Sequence, residues 1–239
     1  MPVKAPPPPP PPPSWTGFYI GADVGFASLD QSVAWHPLPS PAAFGANTII
    51  DRENPSGAIG GVYVGYNYQF APNVLVGIEG DFSGTSVKGH FNQTLTLAGT
   101  TTLAPGSNLS MNTSLDWLAS VRGRLGFLPT PQLLVYVTGG GAWGDFKYSA
   151  NAFNGVATGI GSYNAPVSVN NTQSGWVAGG GIEWMITYNW LLRGEALVYG
   201  FNNGPNLIGT SVNFPAFPSN YVWGKADVIS ARAGVAYKF

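Results

Sequence analysis

The chain has 239 residues, a formal net charge of -1 and no cysteine. Charged residues make up only 9% of it, against roughly 25% in an ordinary soluble domain. These values exclude disulfides and thiolate metal sites, and without a basic run they argue against a nucleic-acid partner. Because a soluble surface so poor in charge would associate, we infer that most of the outer surface does not face water.

The N-terminal segment contains eight consecutive prolines at residues 6–13. Such a run forms an extended polyproline II rod of about 3.1 Å per residue. We interpret residues 1–14 as a proline-rich tail that acts as a spacer or a short docking peptide, and residues 15–239 as one domain. The first residues lack the apolar region of a signal peptide, so we expect either a cytoplasmic protein or a chain from which the signal was removed.

From residue 16 onward, apolar and polar residues alternate with period two, which predicts β-strands. In the first strand, Phe18, Ile20 and Val24 share one face, whereas Tyr19 and Asp23 lie on the other. Eight strands are predicted, at about residues 16–28, 58–70, 74–86, 113–127, 133–148, 173–187, 190–201 and 226–239.

The fourth strand has a clear pattern, and the fifth is the least clear of the eight. The fourth is predicted to place Leu115 and Trp117 on its apolar face and Asp116 on its polar face. The fifth could slip by one residue, and we place Val135 and Trp143 on its apolar face.

The connections between these strands alternate in length. Three are short, namely APN, LPTPQ and YN. Four are long, at about residues 29–57, 87–112, 149–172 and 202–225. Short periplasmic turns that alternate with long extracellular loops are typical of a transmembrane β-barrel. The prediction is therefore an all-β, eight-stranded antiparallel up-and-down barrel with four long extracellular loops.

A soluble eight-stranded barrel with an apolar interior is the alternative. It would carry Lys and Glu across its outer face, whereas here the polar face is mostly Gly, Ser, Thr and Tyr with charges of both signs. Mixed charges suit a closed interior in which each charge has a partner. We predict that a lumen charge network forms either a plug or a narrow polar path, from Glu79, Asp81, Arg122, Arg124, Glu183, Arg193, Glu195 and Arg232.

The apolar face has aromatic residues near both ends and aliphatic residues in the middle. Two aromatic belts around an aliphatic band are expected at the two membrane–water interfaces. The belt at the short-turn end contains Phe18, Tyr68, Phe70, Phe127, Trp184, Trp190, Tyr237 and Phe239. The belt at the long-loop end contains Phe26, Phe82, Trp117, Trp143 and Trp176.

The last residues, RAGVAYKF, resemble the C-terminal signal by which assembly machinery recognises outer-membrane barrels. The matching positions are Arg232, Gly234, Tyr237 and Phe239. Together with WTGFYIGADVG at 15–25, LASVRGRLGF at 118–127 and GWVAGGGIEWMITYNWLLRGEALVYGF at 175–201, they make the chain similar to the small outer-membrane β-barrels of alphaproteobacteria, the porin-like, RopB-like surface antigens of rhizobia and Brucella.

This resemblance covers about residues 14–239 and implies an eight-stranded barrel of the OmpA/OmpX type in the Gram-negative outer membrane. It also implies export with removal of a signal, and roles in envelope integrity and host contact. No catalytic residue is implied, and no cofactor or metal is expected. The expected partners are outer-membrane lipid and lipopolysaccharide, the barrel-assembly machinery, neighbouring barrels through the loops, and a periplasmic partner through the proline-rich tail.

Catalytic motifs are missing from the sequence: there is no His-Glu-x-x-His and no Gly-x-Ser-x-Gly. His36 and His90 are the only histidines. If the barrel were an enzyme of the outer rim, Asp145 with Asp23 or Asp227 would be the residues to test. Several loop positions are aromatic and either pack over the mouth or contact neighbouring barrels: Trp35, Phe44, Phe153, Phe214, Phe217 and Tyr221.

The function predicted from these observations is non-enzymatic. We expect a structural barrel that supports the envelope and displays its loops. A narrow porin for ions or small solutes is the alternative, and an outer-rim enzyme or ligand-binding adhesin is a third class.

Overall fold

The computed structural model of the protein describes residues 14–37, 49–94, 108–154, 163–211 and 218–239. In this part of the chain, no helix is long and apolar enough to span a bilayer. Residues 1–13 of the predicted proline-rich tail lie outside the described residues. The strands are β1 Gly17–Pro37, β2 Ile49–Glu53, β3 Ser56–Ala71, β4 Val74–Thr94, β5 Asn108–Thr130, β6 Leu133–Asn154, β7 Tyr163–Met185, β8 Trp190–Asn203, β9 Asn206–Gly209 and β10 Ser219–Lys238.

Eight of these strands form a closed antiparallel ring in the order β1-β3-β4-β5-β6-β7-β8-β10. The ring closes where β1 pairs with β10, from Tyr19 opposite Lys238 to Pro37 opposite Ser219. At the level of the membrane, closure gives every strand two neighbours, so the backbone N–H and C=O groups are paired without water. The predicted eight-stranded barrel is confirmed.

The two short strands continue their neighbours past a proline. β2 and β3 are separated at Pro55, and β8 and β9 are separated at Pro205. Proline cannot donate to a ladder, but its carbonyl still accepts: Leu29 N–H donates to Pro55 O over 2.9 Å and Trp223 N–H donates to Pro205 O over 3.1 Å. Each pair therefore acts as one long strand with a local break.

Beyond the membrane, the ring divides into two facing sheets. The β3–β4 ladder ends at the pair Ile59–Thr85, and the β7–β8 ladder begins only at Gly175–Phe201. Above these points, β2, β1, β10 and β9 form one sheet, and the outer halves of β4 to β7 form the other. No ladder among the described residues joins β2 to β4 or β7 to β9.

Much of the chain in the four predicted long loops therefore belongs to strands. On the extracellular side, the strands extend further than predicted. The inner face stays apolar there: Leu109 and Met111 are buried beyond the predicted start of the fourth strand. The outer face changes from apolar to polar because it leaves the lipid for water. A strand prediction that requires an apolar outer face therefore ends where this change occurs.

One predicted register is wrong because of a β-bulge. On β5, Leu115 pairs with Phe146 but Trp117 pairs with Asp145, so Asp116 is an extra residue. A bulge shifts the alternation by one position. Leu115 consequently lies inside, 1% exposed, and Asp116 points outward, where it pairs with Lys147.

The open register of the fifth predicted strand, β6, is resolved as expected. Val135 and Trp143 are exposed on the outer face, whereas Leu134 and Tyr136 are buried in the lumen. The pairing with β7 runs without interruption from Leu133–Trp184 to Asn154–Tyr163.

Candidate functional site: the charged layer of the lumen

The barrel interior is built by tyrosines that lie over glycines of the next strand. The Tyr19 ring of β1 lies where a Cβ at Gly65 of β3 would stand, and the Tyr63 ring of β3 lies against Gly21 of β1. Only glycine leaves room for this contact. The exchange brings large side chains into a narrow lumen and delivers their hydroxyl groups to its centre.

A layer of nine buried charged residues crosses the lumen at mid-height. The structure brings together all eight residues of the predicted network and adds Asp23, which sequence analysis considered only as a rim residue. In the sequence, the position of Asp23 on the polar face of the first predicted strand already indicated that its side chain points inward. The charged layer comprises Asp23, Glu79, Asp81, Arg122, Arg124, Glu183, Arg193, Glu195 and Arg232, all at most 5% exposed except Asp81 at 7%.

Glu79 of β4 is the centre of this layer. It accepts a hydrogen bond from Arg122 over 2.6 Å and one from Arg193 over 3.0 Å. Arg124 approaches to 3.2 Å and the Tyr19 hydroxyl donates over 2.7 Å. Three guanidinium groups therefore share one carboxylate, whose oxygens are fully used.

The Glu79–Arg193 pair spans the barrel. β4 and β8 lie on opposite sides of the eight-stranded ring, so the bonds between them cross the lumen. Arg193 also bonds its neighbour Glu183 through Nε over 2.9 Å. Glu183 in turn contacts Arg124 Nη2 at 2.9 Å, which extends the chain of pairs to β5.

Arg122 joins this centre to a second group of charges. It contacts Glu195 at 3.1 Å and Asp81 at 3.4 Å. Arg232 of β10 contacts Asp81 at 3.3 Å and Asp23 at 3.9 Å. The pairs thus form one continuous network around and across the lumen, with five carboxylates and four guanidinium groups.

Aromatic rings cover the guanidinium planes. Arg193 lies 3.9 Å from the centre of the Tyr63 ring, and Arg124 lies 4.2 Å from that of Tyr136. A ring face stabilises a cation, and more so when water is excluded. The Tyr136 hydroxyl also donates to Glu195 over 2.8 Å, so the rings contribute hydrogen bonds as well as shape.

Apolar clusters lie on both sides of the charged layer. The periplasmic cluster includes Trp15, Leu75, Leu134, Met185 and Leu191. Trp15 is fully buried at this end, and its indole N–H donates to Pro131 O over 3.0 Å. The extracellular cluster lies between the two facing sheets and includes Leu29, Val87, Leu115, Phe146, Tyr148, Phe201, Tyr221 and Trp223.

The predicted belt residues lie on the outer face. Most are largely exposed there, for example Phe18, Phe26, Trp176 and Trp184. Trp117 is half-buried because its ring stacks on Phe82 at 5.6 Å.

The residues of the C-terminal motif end β10, where Tyr237 packs against Trp190 and Phe239 at 5.3 Å each.

The three suspected rim aspartates do not form one site. Asp23 points into the lumen, whereas Asp145 and Asp227 point outward. Asp145 accepts from the Thr172 hydroxyl over 3.1 Å, and Asp227 pairs with Lys225 at 2.9 Å. In the described residues there is no group of three or more His, Asp or Glu arranged to hold a metal.

The aromatic residues assigned to loops divide into two sets. Trp35 and Tyr221 belong to strands and are buried in the extracellular cluster. The Tyr221 hydroxyl accepts from Ala152 N–H over 2.8 Å and donates to Ala165 O over 2.7 Å. Phe153 lies in β6 and is half-buried. The remaining three, Phe44, Phe214 and Phe217, lie outside the described residues.

Comparison with known proteins decides the family. The model of the outer membrane protein beta-barrel domain matches residues 10–239. The chain belongs to this family. It is located in the Gram-negative outer membrane, and the alphaproteobacterial resemblance read from its motifs is confirmed by its relatives.

Those relatives are outer-membrane immunogenic proteins of Brucella. The chain is 32% identical over 234 residues to the 31 kDa outer-membrane immunogenic protein of Brucella melitensis biotype 1, which covers 95% of this chain and 84% of the relative. It is 25% identical over 239 residues to the 25 kDa outer-membrane immunogenic protein of Brucella canis, covering 100% of this chain and 85% of the relative.

Two solved bacterial structures align with the chain at low sequence identity. OprG from Pseudomonas aeruginosa aligns with a TM-score of 0.43 at 13% identity, over 94% of this chain and 96% of that one. Neisserial surface protein A aligns with a TM-score of 0.42 at 12% identity, over 94% and 98%.

Proposed function

We propose that this protein is a non-conducting structural barrel of the outer membrane, which supports the envelope and displays its extracellular strands. The observation that carries the proposal is the stack of three lumen layers. A charged layer, fully cross-linked by ion pairs, lies between two apolar clusters.

An ion that passed this lumen would need a hydrated path. The central carboxylate Glu79 already has three guanidinium partners, one of them from the opposite wall. Opening a path would separate these pairs inside a medium of low dielectric constant, where an unpaired charge costs several kcal/mol. Small barrels of eight strands are generally filled by side chains rather than open.

The display role rests on the extracellular sheets and on the relatives. Strands such as β5 and β7 are 23 residues long, whereas about 9–11 tilted residues suffice to cross the membrane. The excess stands above the outer leaflet as two packed sheets. The named relatives are described as immunogenic, which fits a protein whose outer sheets are accessible.

The test is single-channel conductance in a planar lipid bilayer. The full chain is refolded and its insertion is verified by heat-dependent gel mobility. We expect wild type to be silent, and the double variant Glu79→Ala/Arg193→Ala, which removes the pair across the lumen, to show openings. The matched control is Arg52→Ala, which breaks an exposed pair with Asp30 and should stay silent. Discrete openings of wild type would overturn the proposal in favour of a narrow porin.

A further inference from the structure

The outer face of β5, β6 and β7 is layered where it leaves the membrane. Each strand contributes one tryptophan to the upper aromatic belt: Trp117, Trp143 and Trp176. Above them comes a polar rung, in which Lys147 pairs with Asp116 and Asp145 accepts from Thr172. Because an aromatic belt marks the membrane–water interface, the polar groups above it lie beyond the hydrocarbon of the bilayer.

Above the charged rung, the same three strands form a groove of about 430 Å³. The outward side chains that line it come from two rungs of the ladder. In the lower rung, Asn112 is opposite Ser149 and Ser149 is opposite Ser168; in the upper, Ser110 is opposite Asn151. We call this feature the Ser/Asn groove, lined by Ser110, Asn112, Ser149, Ala150, Asn151, Pro166, Val167 and Ser168.

The polar groups of this groove form hydrogen bonds with one another and still have capacity for further hydrogen bonds. Asn112 donates to the Ser149 hydroxyl over 3.3 Å and contacts His90 Nδ1 at 2.8 Å. The Ser110 hydroxyl donates to the backbone oxygen of Asn151 over 3.4 Å, and the Ser168 side chain is exposed on the same face. Hydroxyl and amide groups both donate and accept, and no charged residue lines the groove. This chemistry suits a ligand rich in hydroxyl groups rather than an ion.

We propose that the Ser/Asn groove binds the core saccharide of lipopolysaccharide molecules that lie beside the barrel in the outer leaflet. Its height supports this occupant. With a rise of ~3.3 Å per residue and a strand tilt of about 40°, Ser149 stands about 15 Å above Trp143. The surface thus continues the lipid-facing wall upward, from acyl chains through headgroup to sugars.

The test measures binding of two probes to the refolded full chain in detergent. One probe is lipopolysaccharide that carries its core oligosaccharide, and the other is lipid A without it. The variant Asn112→Leu/Ser149→Leu removes the central donors and acceptors. We expect it to bind the core-bearing probe about tenfold more weakly, with binding of lipid A unchanged.

Two further variants keep the result interpretable. Ser168→Leu changes an exposed side chain of the same groove, and it should weaken binding in the same direction if the double variant folds poorly. Asn206→Leu, at an exposed position of β9 in the other sheet, should leave both affinities unchanged. Equal affinities for all groove variants and wild type would overturn the proposal, as would an equal loss for both probes. A change of oligomeric state in the variants would instead identify the groove as an interface between copies.

Discussion

At the scale of single residues, the lumen depends on arginine rather than on charge alone. Arg122 contacts three carboxylates at 2.6, 3.1 and 3.4 Å. A guanidinium group has five N–H donors in a planar fork, which lets one side chain bridge several acceptors. Lysine, a compact point charge, would not hold the same geometry.

Arg122→Ala is therefore expected to destabilise the barrel strongly. It leaves Glu79, Glu195 and Asp81 buried with a partner missing, and breaking a buried ion pair costs about 3–5 kcal/mol. Urea unfolding in lipid vesicles, followed by tryptophan fluorescence, measures the free energy of unfolding.

The control for this variant is Arg52→Ala, whose partner is at 3.7 Å on the exposed surface. An exposed pair contributes at most about 1 kcal/mol, so its loss should be small. If both variants unfold at the same urea concentration as wild type, the network does not stabilise the barrel.

At the scale of elements, the bulge on β5 decides which face each residue meets. Leu115 is packed in the extracellular cluster, and Asp116 points to the surface. Leu115→Asp should place an unpaired carboxylate among apolar side chains and lower stability by several kcal/mol. Asp116→Leu should cost little. Urea unfolding of the two variants measures this, and the reverse order would show that the bulge is absent.

The end of β2 carries a buried carboxyl group, Glu53, whose pKa differs from its ordinary value. Glu53 is 8% exposed, and burial raises its pKa to about 7, with His90 opposing the shift and Asp51 adding to it. The folded state thus holds a proton that the unfolded chain releases near its ordinary pKa of 4.5. Stability of this region should fall as pH rises from about 4.5 to 7, and level off above.

Hydrogen exchange of the β2 and β4 amides at pH 5 and pH 8 tests this dependence. At pH 8, the wild-type amides should exchange faster than the pH dependence of the intrinsic exchange rate alone explains. Glu53→Gln, which cannot ionise, should remove the excess and protect these amides at pH 8. The same excess in the variant would assign the pH dependence to another group.

At the scale of the whole molecule, closure joins the first strand of the barrel to the last. Phe239 N–H donates to Phe18 O over 3.0 Å, so the last residue completes the β1–β10 seam. Both side chains are exposed on the outer face, and each could serve lipid contact alone. The C-terminal motif predicts a further role for Phe239 in recognition by the assembly machinery.

Phe239→Ala and Phe18→Ala separate these roles. Each removes one aromatic ring from the same belt, so refolded stability should drop by similar amounts. In cells, only Phe239→Ala should reduce the folded protein recovered from the outer membrane, measured by heat-dependent gel mobility of membrane fractions. Equal recovery of the two variants would leave Phe239 with a belt role only.

Much of the fold could be predicted because a lipid-facing barrel leaves a strong period-two pattern. Phe18, Ile20 and Val24 alternate with Tyr19 and Asp23, and the structure places the two sets on opposite faces. The lumen charges could be predicted as a group for the same reason. Which carboxylate pairs with which arginine could not, because Glu79 and Arg193 meet only across a closed ring.

By itself, the sequence determined the fold class, the strand number, the membrane location and eight of the nine residues of the charged layer, since these depend on local alternation and on composition. The tertiary structure alone decided the bulge at Asp116, the two extracellular sheets and the place of Asp23 in the network. Each of these depends on how strands far apart in the chain are registered. In the extracellular sheets, the outer face meets water rather than lipid. The outward-facing residues there are therefore polar, and the apolar alternate positions that identify a membrane strand are missing.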